Sequence, residues 1–505
     1  MDPKLGTDTA LTSHQAADDI ELPPLPAKSD ILPIKPADPF LVDFNHPFDA
    51  ENPKDWPTSR KWSVTDVLSA TGFIRIMVST IMAPALSTIA AEFHMSPTES
   101  AMALSIYLLA TAFGPVFIGP LSEIYGRKRV LHASNVWFLA WNIACGFATS
   151  KELLIGSRFL AGFGASSIYA LAGGVLGDVW KPEQRGKSLG IYLLIPILGA
   201  AVGPIIGGFM ASRASWRWMF WSTSVFQGLM IVVSFTVFRE TYAPLILNRR
   251  VAALRKSTGN PAYYTLGERR DGQKTVIARL TLALSRPIRL LAFHPILQIT
   301  SIIQGFYYGI LYIVLSSFSL LWIEQYSVSV ELSGLHYIAI AGGELVGSQI
   351  CSKLMDVLYR RNISRNPEAG IAPESRIPLE YLGAITGALG LLIYGWTAQH
   401  RVHWIAVDIG IFINMLGWQM AGMPLTAYII DAYPDHTSSA MAAQQFAKSL
   451  TAFLFPLFAP SMYKALGYGW GNTLIAATGG VLGILAPWIL WKYGAELRAK
   501  ARSSY

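Results

Sequence analysis

Ionisable side chains set inside long apolar runs are the part of this sequence most able to do chemistry. Glu344 lies in Ala341-Gly-Gly-Glu-Leu-Val-Gly347, and Asp408 lies in the run that begins at Trp404. Arg75, Arg158 and Lys448 fall inside three further runs. A charge surrounded by hydrocarbon is expensive and usually has a task. Poor solvation disfavours an ionised carboxyl and brings protonation within reach of working pH, so Glu344 is the first candidate for a proton carrier and Asp408 the second. An ion pair that only holds helices together, with Lys448 as a partner for either, is the competing reading. Arg75 stands too deep in its run to reach water easily and is expected to face a cavity or to pair with a carboxylate. The sequence offers no nucleotide-binding loop, no clustered metal ligands and no nucleophile with its base, so neither an enzyme nor a cofactor is expected. Cys145 and Cys351 both sit within apolar runs and read as packing residues.

The runs that must position these groups are close to the roughly 20 residues that a helix needs to cross a bilayer. They extend over Trp62 to Ala90, Ala101 to Ile118, Val130 to Ala148, Leu153 to Leu176, Ser188 to Ala211 and Trp218 to Phe238. A second set covers Ile296 to Trp322, Leu332 to Met355, Leu379 to Trp396, Trp404 to Ile430, Ser438 to Met462 and Thr473 to Trp491. The expectation is an all-α membrane protein with twelve spanning helices in two six-helix pseudo-repeats. Its parts would be a disordered cytosolic tail (1–58), a first bundle (59–238), a basic cytosolic loop (239–294), a second bundle (295–492) and a short cytosolic tail (493–505).

Composition agrees, with 52% hydrophobic and 14% charged residues in a chain of 505, against about a quarter charged in soluble domains. The formal net charge of +8 belongs to loops between apolar runs, where topology and anionic headgroups explain it better than nucleic acid does. Every second loop is basic, which places both termini in the cytosol. Asn362-Ile-Ser364 then falls on the cytosolic side and is expected to stay unglycosylated.

The turn Gly119-Pro-Leu-Ser-Glu-Ile-Tyr-Gly-Arg-Lys-Arg129 joins the second and third runs. Gly119 would let two helices approach closely, Glu123 would take a hydrogen bond or ion pair from a neighbouring helix, and Gly126 would permit the turn that presents Arg127 and Lys128. Such a joint can hold packed elements together in one state and release them in another; a plain topology signal is the alternative. A weak echo, Leu354-x-Asp356-x-x-x-Arg360-Arg361, ends the eighth helix, and Asp178 and Asp431 end the fourth and tenth. Duplicated halves with a binding site between them are a common transporter plan. In the fifth helix Gly199, Gly203, Pro204, Gly207 and Gly208 form a row of small residues with a bend. Gln304, Tyr307, Tyr308 and Tyr312 recur on the seventh helix, and Asn414, Trp418 and Gln419 cluster on the tenth. They would suit the wall of a cavity for a bulky amphipathic compound, or only helix packing.

These motifs resemble those of the major facilitator superfamily, in its fungal twelve-helix drug:proton antiporter group. Besides the gating turn, the sequence carries Asn52-Pro-Lys-Asp-Trp-Pro57, Arg239-Glu-Thr-Tyr-Ala-Pro-Leu-Ile-Leu247, Pro373-Glu-Ser-Arg376 and Leu466-Gly-Tyr-Gly-Trp-Gly471. The resemblance implies that the glycine row is an antiporter signature and that Arg158, followed by Phe-Leu-Ala-Gly-Phe-Gly164, assists proton exchange. It also implies a plasma-membrane or vacuolar carrier, active as a monomer, that exports a drug, fungicide or endogenous metabolite. The first helix departs from some relatives: it has Arg75 at depth and no carboxylate beyond Asp66, so a cavity holding Arg75 and Arg158 should tolerate an anionic or phenolic substrate. Uptake of a nutrient and a non-transporting membrane sensor are the alternative functions.

Overall fold

A computed structural model describes residues 38–45, 47–271, 276–365, 373–433 and 437–503. Nine stretches among them are long and apolar enough to cross a membrane. The last of these, Ser439–Ala499, holds two helices that meet at Gly467, where φ is 70°. Arg127–Gly146 and Tyr337–Arg365 are of spanning length but more polar. Together they make the twelve expected spans. Their backbone groups are satisfied within each helix, as hydrocarbon requires, and the outward surface is apolar: Val225 is 76%, Val232 62% and Leu229 59% exposed on the sixth helix.

The spanning helices follow in order. The first runs over Thr58–Thr80, breaks at Ala83–Ala85 where Pro84 removes a donor, and resumes to Glu92. Then come Pro97–Tyr125, Arg127–Gly146, Lys151–Val179, Pro182–Arg213 and Arg217–Val237. The second half holds Pro295–Gln325, Tyr337–Arg365, Pro378–Gln399, Trp404–Ala432, and the eleventh and twelfth helices on either side of Gly467. The face bearing the 119–129 turn is called the basic face below.

Glycines set the closest helix contact of the first half. A Cβ on Gly199 would stand 2.6 Å from the Phe73 carbonyl oxygen and one on Gly203 2.7 Å from that of Met77, while one on Gly207 would strike the carbonyl of Ile81. The fifth helix therefore lies against the first along backbone atoms. Gly208 and Pro204 look the other way, toward Val330 and Gly334 between the seventh and eighth helices.

On the face opposite the basic one the two halves meet. Arg213 pairs with Glu331 at 2.9 Å, and Ser319 Oγ donates to the Pro84 carbonyl at 3.5 Å. Deeper in, Thr111 Oγ1 donates to Ser449 Oγ at 3.0 Å, beside the edge-on rings of Phe113 and Phe446. The second and eleventh helices form the seam.

The tail and loop expectations need correction. Residues 1–37 and 46 lie outside the described residues, but 38–45 and 47–57 are folded against the loop rather than disordered. Arg250 reaches Asp49 at 2.8 and 3.0 Å and Glu51 at 2.6 Å, and Leu41 pairs with Tyr264 in a single parallel bridge. Trp62 packs on Trp180 with ring centroids 4.8 Å apart, and Lys61 Nζ donates to the Lys54 carbonyl at 2.6 Å. The loop itself contains helices Ala243–Thr258, Leu266–Asp271 and Val276–Phe293. The last of them touches both the second spanning helix and the stretch Thr437–Ser503 that holds the eleventh and twelfth, with Leu290 buried in the main core.

Candidate functional site

Glu344 is placed by the contact of the eighth helix with the tenth. A Cβ on Gly347 would stand 2.6 Å from the Leu416 carbonyl oxygen, and Gly343 abuts that of Phe412, so this side of the helix is spent on packing and Glu344 stands on another. Glu344 lies within electrostatic reach of Tyr308 and Tyr312. Among the described residues no cation stands within ion-pairing distance of it. The ion-pair reading therefore lacks its partner. Lys448 likewise has no carboxylate beside it among the described residues.

Around Glu344 a string of hydroxyl groups crosses between the halves. Tyr169 of the fourth helix contacts Tyr308 of the seventh, Tyr308 contacts Tyr312, and Tyr312 contacts Ser79 of the first. Tyr308 and Tyr312 sit edge-on at 5.3 Å. Tyr169 keeps 36% of its surface uncovered although it stands well inside a spanning helix, so it borders an open space rather than a packed core. Gln419 is half-buried beside Gly347. These groups make an interior of mixed aromatic and polar character, of the kind that holds amphipathic compounds.

The other candidates are used for packing. Gln304 Nε2 donates at 3.0 Å to both the Gly422 carbonyl and Thr426 Oγ1, and Asn414 Nδ2 donates to the Gly387 carbonyl at 2.7 Å. Tyr307 stacks on Trp418 at 4.3 Å and donates to Glu380 Oε1 at 2.9 Å. Asp408 is taken by His336, whose Nδ1 stands 2.7 Å from Oδ2 and whose ring stacks on Trp322 at 3.7 Å. Glu380 and His336 escaped the sequence reading; Glu380 stands at the start of its helix and His336 just outside one, where charge attracts no notice.

The two arginines differ from expectation. Arg75 is 1% exposed and meets no carboxylate among the described residues: its guanidinium bonds to Ser167 Oγ, Asn135 Oδ1 and, at 3.3 Å, the Ala165 carbonyl. Arg158 is fully enclosed, donating to the Leu104 carbonyl at 3.3 Å and the Val78 carbonyl at 3.5 Å, with the Tyr107 ring 5.3 Å away. Both point into the first bundle because helices there supply carbonyl and hydroxyl acceptors at close range. Neither faces an open cavity, so the inference of an anion-tolerant cavity loses these two supports.

The basic turn is also built differently in detail. Gly126 has φ of 93°, which glycine adopts freely, and a Cβ there would collide with Glu240. That carboxylate caps the third helix, accepting from the backbone N–H of Arg127 at 2.9 Å and of Lys128 at 3.3 Å. Arg127 pairs with Asp178 at 3.3 Å and bonds Ser122 Oγ. By contrast, a Cβ on Gly119 would meet nothing within 4 Å, and Glu123 is exposed with no partner among the described residues. Among the described residues the expected close approach and ion pair at these two positions are absent, and Glu240, just past the sixth helix, and Asp178, on the fourth, fill that role instead. The counterpart in the second half is Arg376 with Asp431 at 3.0 Å and Arg498 with Glu374 at 2.8 Å. The side chains of Asp356 and Arg360, and Asn362, lie outside the described residues.

Residues 68–456 match the family profile of the Major Facilitator Superfamily. The chain belongs to that superfamily. It is a multi-pass membrane transporter of the kind that carries small molecules across membranes. Named fungal relatives cover most of it. The transporter is 53% identical over 425 residues to "Probable efflux pump mfs2" of Aspergillus flavus, covering 84% of this chain and 100% of that one. It is 40% identical over 466 residues to "Efflux pump vrtL" of Penicillium aethiopicum, covering 92% of each. Among solved structures, the partially occluded inward-open xylose transporter XylE from E. coli shares the fold at TM-score 0.60 and 17% identity, covering 86% of this chain and 98% of that one. A bacterial homologue of the human lysosomal transporter Spinster does so at TM-score 0.60 and 13% identity, covering 88% and 99%.

Proposed function

We propose that this transporter is a proton-coupled efflux carrier for a small amphipathic compound, a drug, fungicide or endogenous metabolite. It works by alternating access as a monomer in the plasma membrane or the vacuolar membrane, with both termini and the basic face in the cytosol. Two named relatives covering most of the chain are called efflux pumps, and the glycine row of the fifth helix is intact. The observation that carries proton coupling is Glu344, a carboxylate among the tyrosines of the inter-half space with no counter-ion among the described residues. An unpaired carboxylate costs several kcal/mol in such surroundings, and taking up a proton lifts that cost. Proton binding thus changes the charge that Tyr308 and Tyr312 face, and a substrate that fills the same space competes with it. Lys448, the remaining cation near the seam, gives a reason for acidic or phenolic substrates to bind.

The test is export of fluorescent drugs and phenolic metabolites from cells expressing the parent or Glu344→Gln, with and without a proton uncoupler. The parent should export, the uncoupler should abolish export, and Glu344→Gln should lose at least about tenfold in rate, the loss of one essential proton carrier. Uncoupler-resistant export, or full activity in Glu344→Gln, would remove the coupling assignment. Net accumulation in expressing cells would replace efflux by uptake.

A further inference from the structure

The basic face carries a cleft of about 520 Å³ that the transport reading does not use. Its walls come from Glu51, Trp56 and Arg60 before and at the entrance to the first spanning helix, Arg239 and Glu240 just past the sixth, and Arg249 and Arg250 of helix Ala243–Thr258. Three of these charges are already engaged: Arg250 with Asp49 and with Glu51 of the same wall, and Glu240 with the backbone N–H groups of Arg127 and Lys128. Arg60, Arg239 and Arg249 have no carboxylate at ion-pairing distance among the described residues. Arg60 is fixed in plane by its guanidinium lying 4.0 Å over the Trp56 ring. Three unneutralised guanidinium groups around one hollow repel each other, and an anion between them turns that repulsion into attraction. A guanidinium fork grips two oxygens at a time, and the three terminal oxygens of a phosphomonoester can engage more than one fork, where a carboxylate has only two oxygens to offer and a spherical anion fits no fork.

We propose that this cleft binds a phosphomonoester-bearing anion, supplied either by the headgroup of a lipid in the adjoining leaflet or by a soluble organic phosphate. Occupation steadies the gating turn. The link is covalent and short: Arg239 precedes Glu240, the residue that caps the third helix, and Arg249 stands on the helix that follows. An anion gripped by Arg239 and Arg249 pins the intervening segment and with it the Glu240 cap on Arg127 and Lys128. The position at the ends of two spanning helices, beside a tryptophan, is where phosphate headgroups lie.

The test uses the full chain in phosphatidylcholine nanodiscs. In one arm, lipid adducts are counted by native mass spectrometry with phosphatidylinositol 4-phosphate added. In the other, calorimetry titrates inositol 1,4-bisphosphate. Arg60→Gln/Arg239→Gln/Arg249→Gln is compared with Lys256→Gln/Lys353→Gln/Lys492→Gln, which removes the same charge elsewhere; Arg249→Glu, at an exposed position, gives a variant with little risk to folding. The triple arginine variant should bind about tenfold more weakly or worse and the lysine variant within about twofold, the difference between a shaped site and a diffuse field. Binding in the lipid arm alone assigns a lipid headgroup, and binding in both assigns the phosphomonoester itself. Either supports the site. Absence of binding in both arms, or equal loss in the two triple variants, overturns it. Hydrogen exchange at residues 126–129 should slow on ligand addition, and unchanged exchange with binding intact overturns the coupling to the turn.

Discussion

Replacing Gly203 by alanine tests whether the glycine row is a packing device. A Cβ at that position would stand 2.7 Å from the Met77 carbonyl oxygen and 2.7 Å from Thr80 Oγ1, where ordinary contact begins at 3.4 Å. The first and fifth helices would have to part by the difference, roughly 0.7 Å, and Gly199 and Gly207 on the same contact resist a local adjustment. Overpacking of this kind costs about 1–3 kcal/mol, while alanine's better helix propensity returns just under about 1 kcal/mol. The net loss should be about 0–2 kcal/mol, a fall of up to several degrees in the unfolding midpoint at roughly 2–4 °C per kcal/mol for a unit the size of one half. Gly228→Ala on the sixth helix is the comparison, since a Cβ there meets nothing within 4 Å; it should gain about 0.5–1 kcal/mol. Both are read by tryptophan fluorescence on heating the purified protein in one detergent. A Gly203→Ala protein that melts at or above the parent, beside a normally behaving Gly228→Ala, would refute the packing argument.

Arg75→Met should lower the unfolding midpoint and the yield without changing the ranking of acidic against neutral substrates, because it strands Ser167 and Asn135 inside a dry bundle at about 1–3 kcal/mol per unmet group. Normal stability with a reversed ranking would instead put the guanidinium at the substrate. The tail clasp carries a pH expectation: Arg250's hydrogen bonds hold the Asp49 carboxyl well below the usual carboxylate range. A lowered carboxyl pKa adds stability that is complete above the unfolded value near about pH 4 and is lost only as pH falls through the lower folded value. The protection of described residues in 40–56 against hydrogen exchange, taken relative to the intrinsic rate at each pH, should therefore be equal at about pH 7 and pH 5.5 and lost at both in Arg250→Ala. Protection that fades between those two values would sink the assignment.

The spans, their grouping and the basic turn were legible because bilayer thickness and loop charge leave strong periodic traces. The polar helices Arg127–Gly146 and Tyr337–Arg365 were still readable from their apolar neighbours. What composition could not reveal was which way a deep side chain points. Arg75 and Arg158 looked like cavity residues, yet helix carbonyls and hydroxyls inside the first bundle already satisfy them. Glu123 looked like the acceptor at the turn, yet Glu240, distant by more than a hundred positions in the chain, took the place. Such pairings depend on tertiary geometry and leave no local spacing. Residues 38–57 read as disordered from their prolines and acids, but Asp49 and Glu51 were the matching half of a clasp whose other half, Arg250, lay in the loop.

The helix Val276–Phe293 lies across the junction of the two halves like a bolt across a double door. It rests on the second spanning helix of one leaf and on the stretch Thr437–Ser503 of the other, and upstream of it the connection is tied back to the third spanning helix through Glu240 and to Asp49 through Arg250. Any swing that parts the two leaves on the basic face has to draw the bolt from one side, and its own buried Leu290 would then come into water.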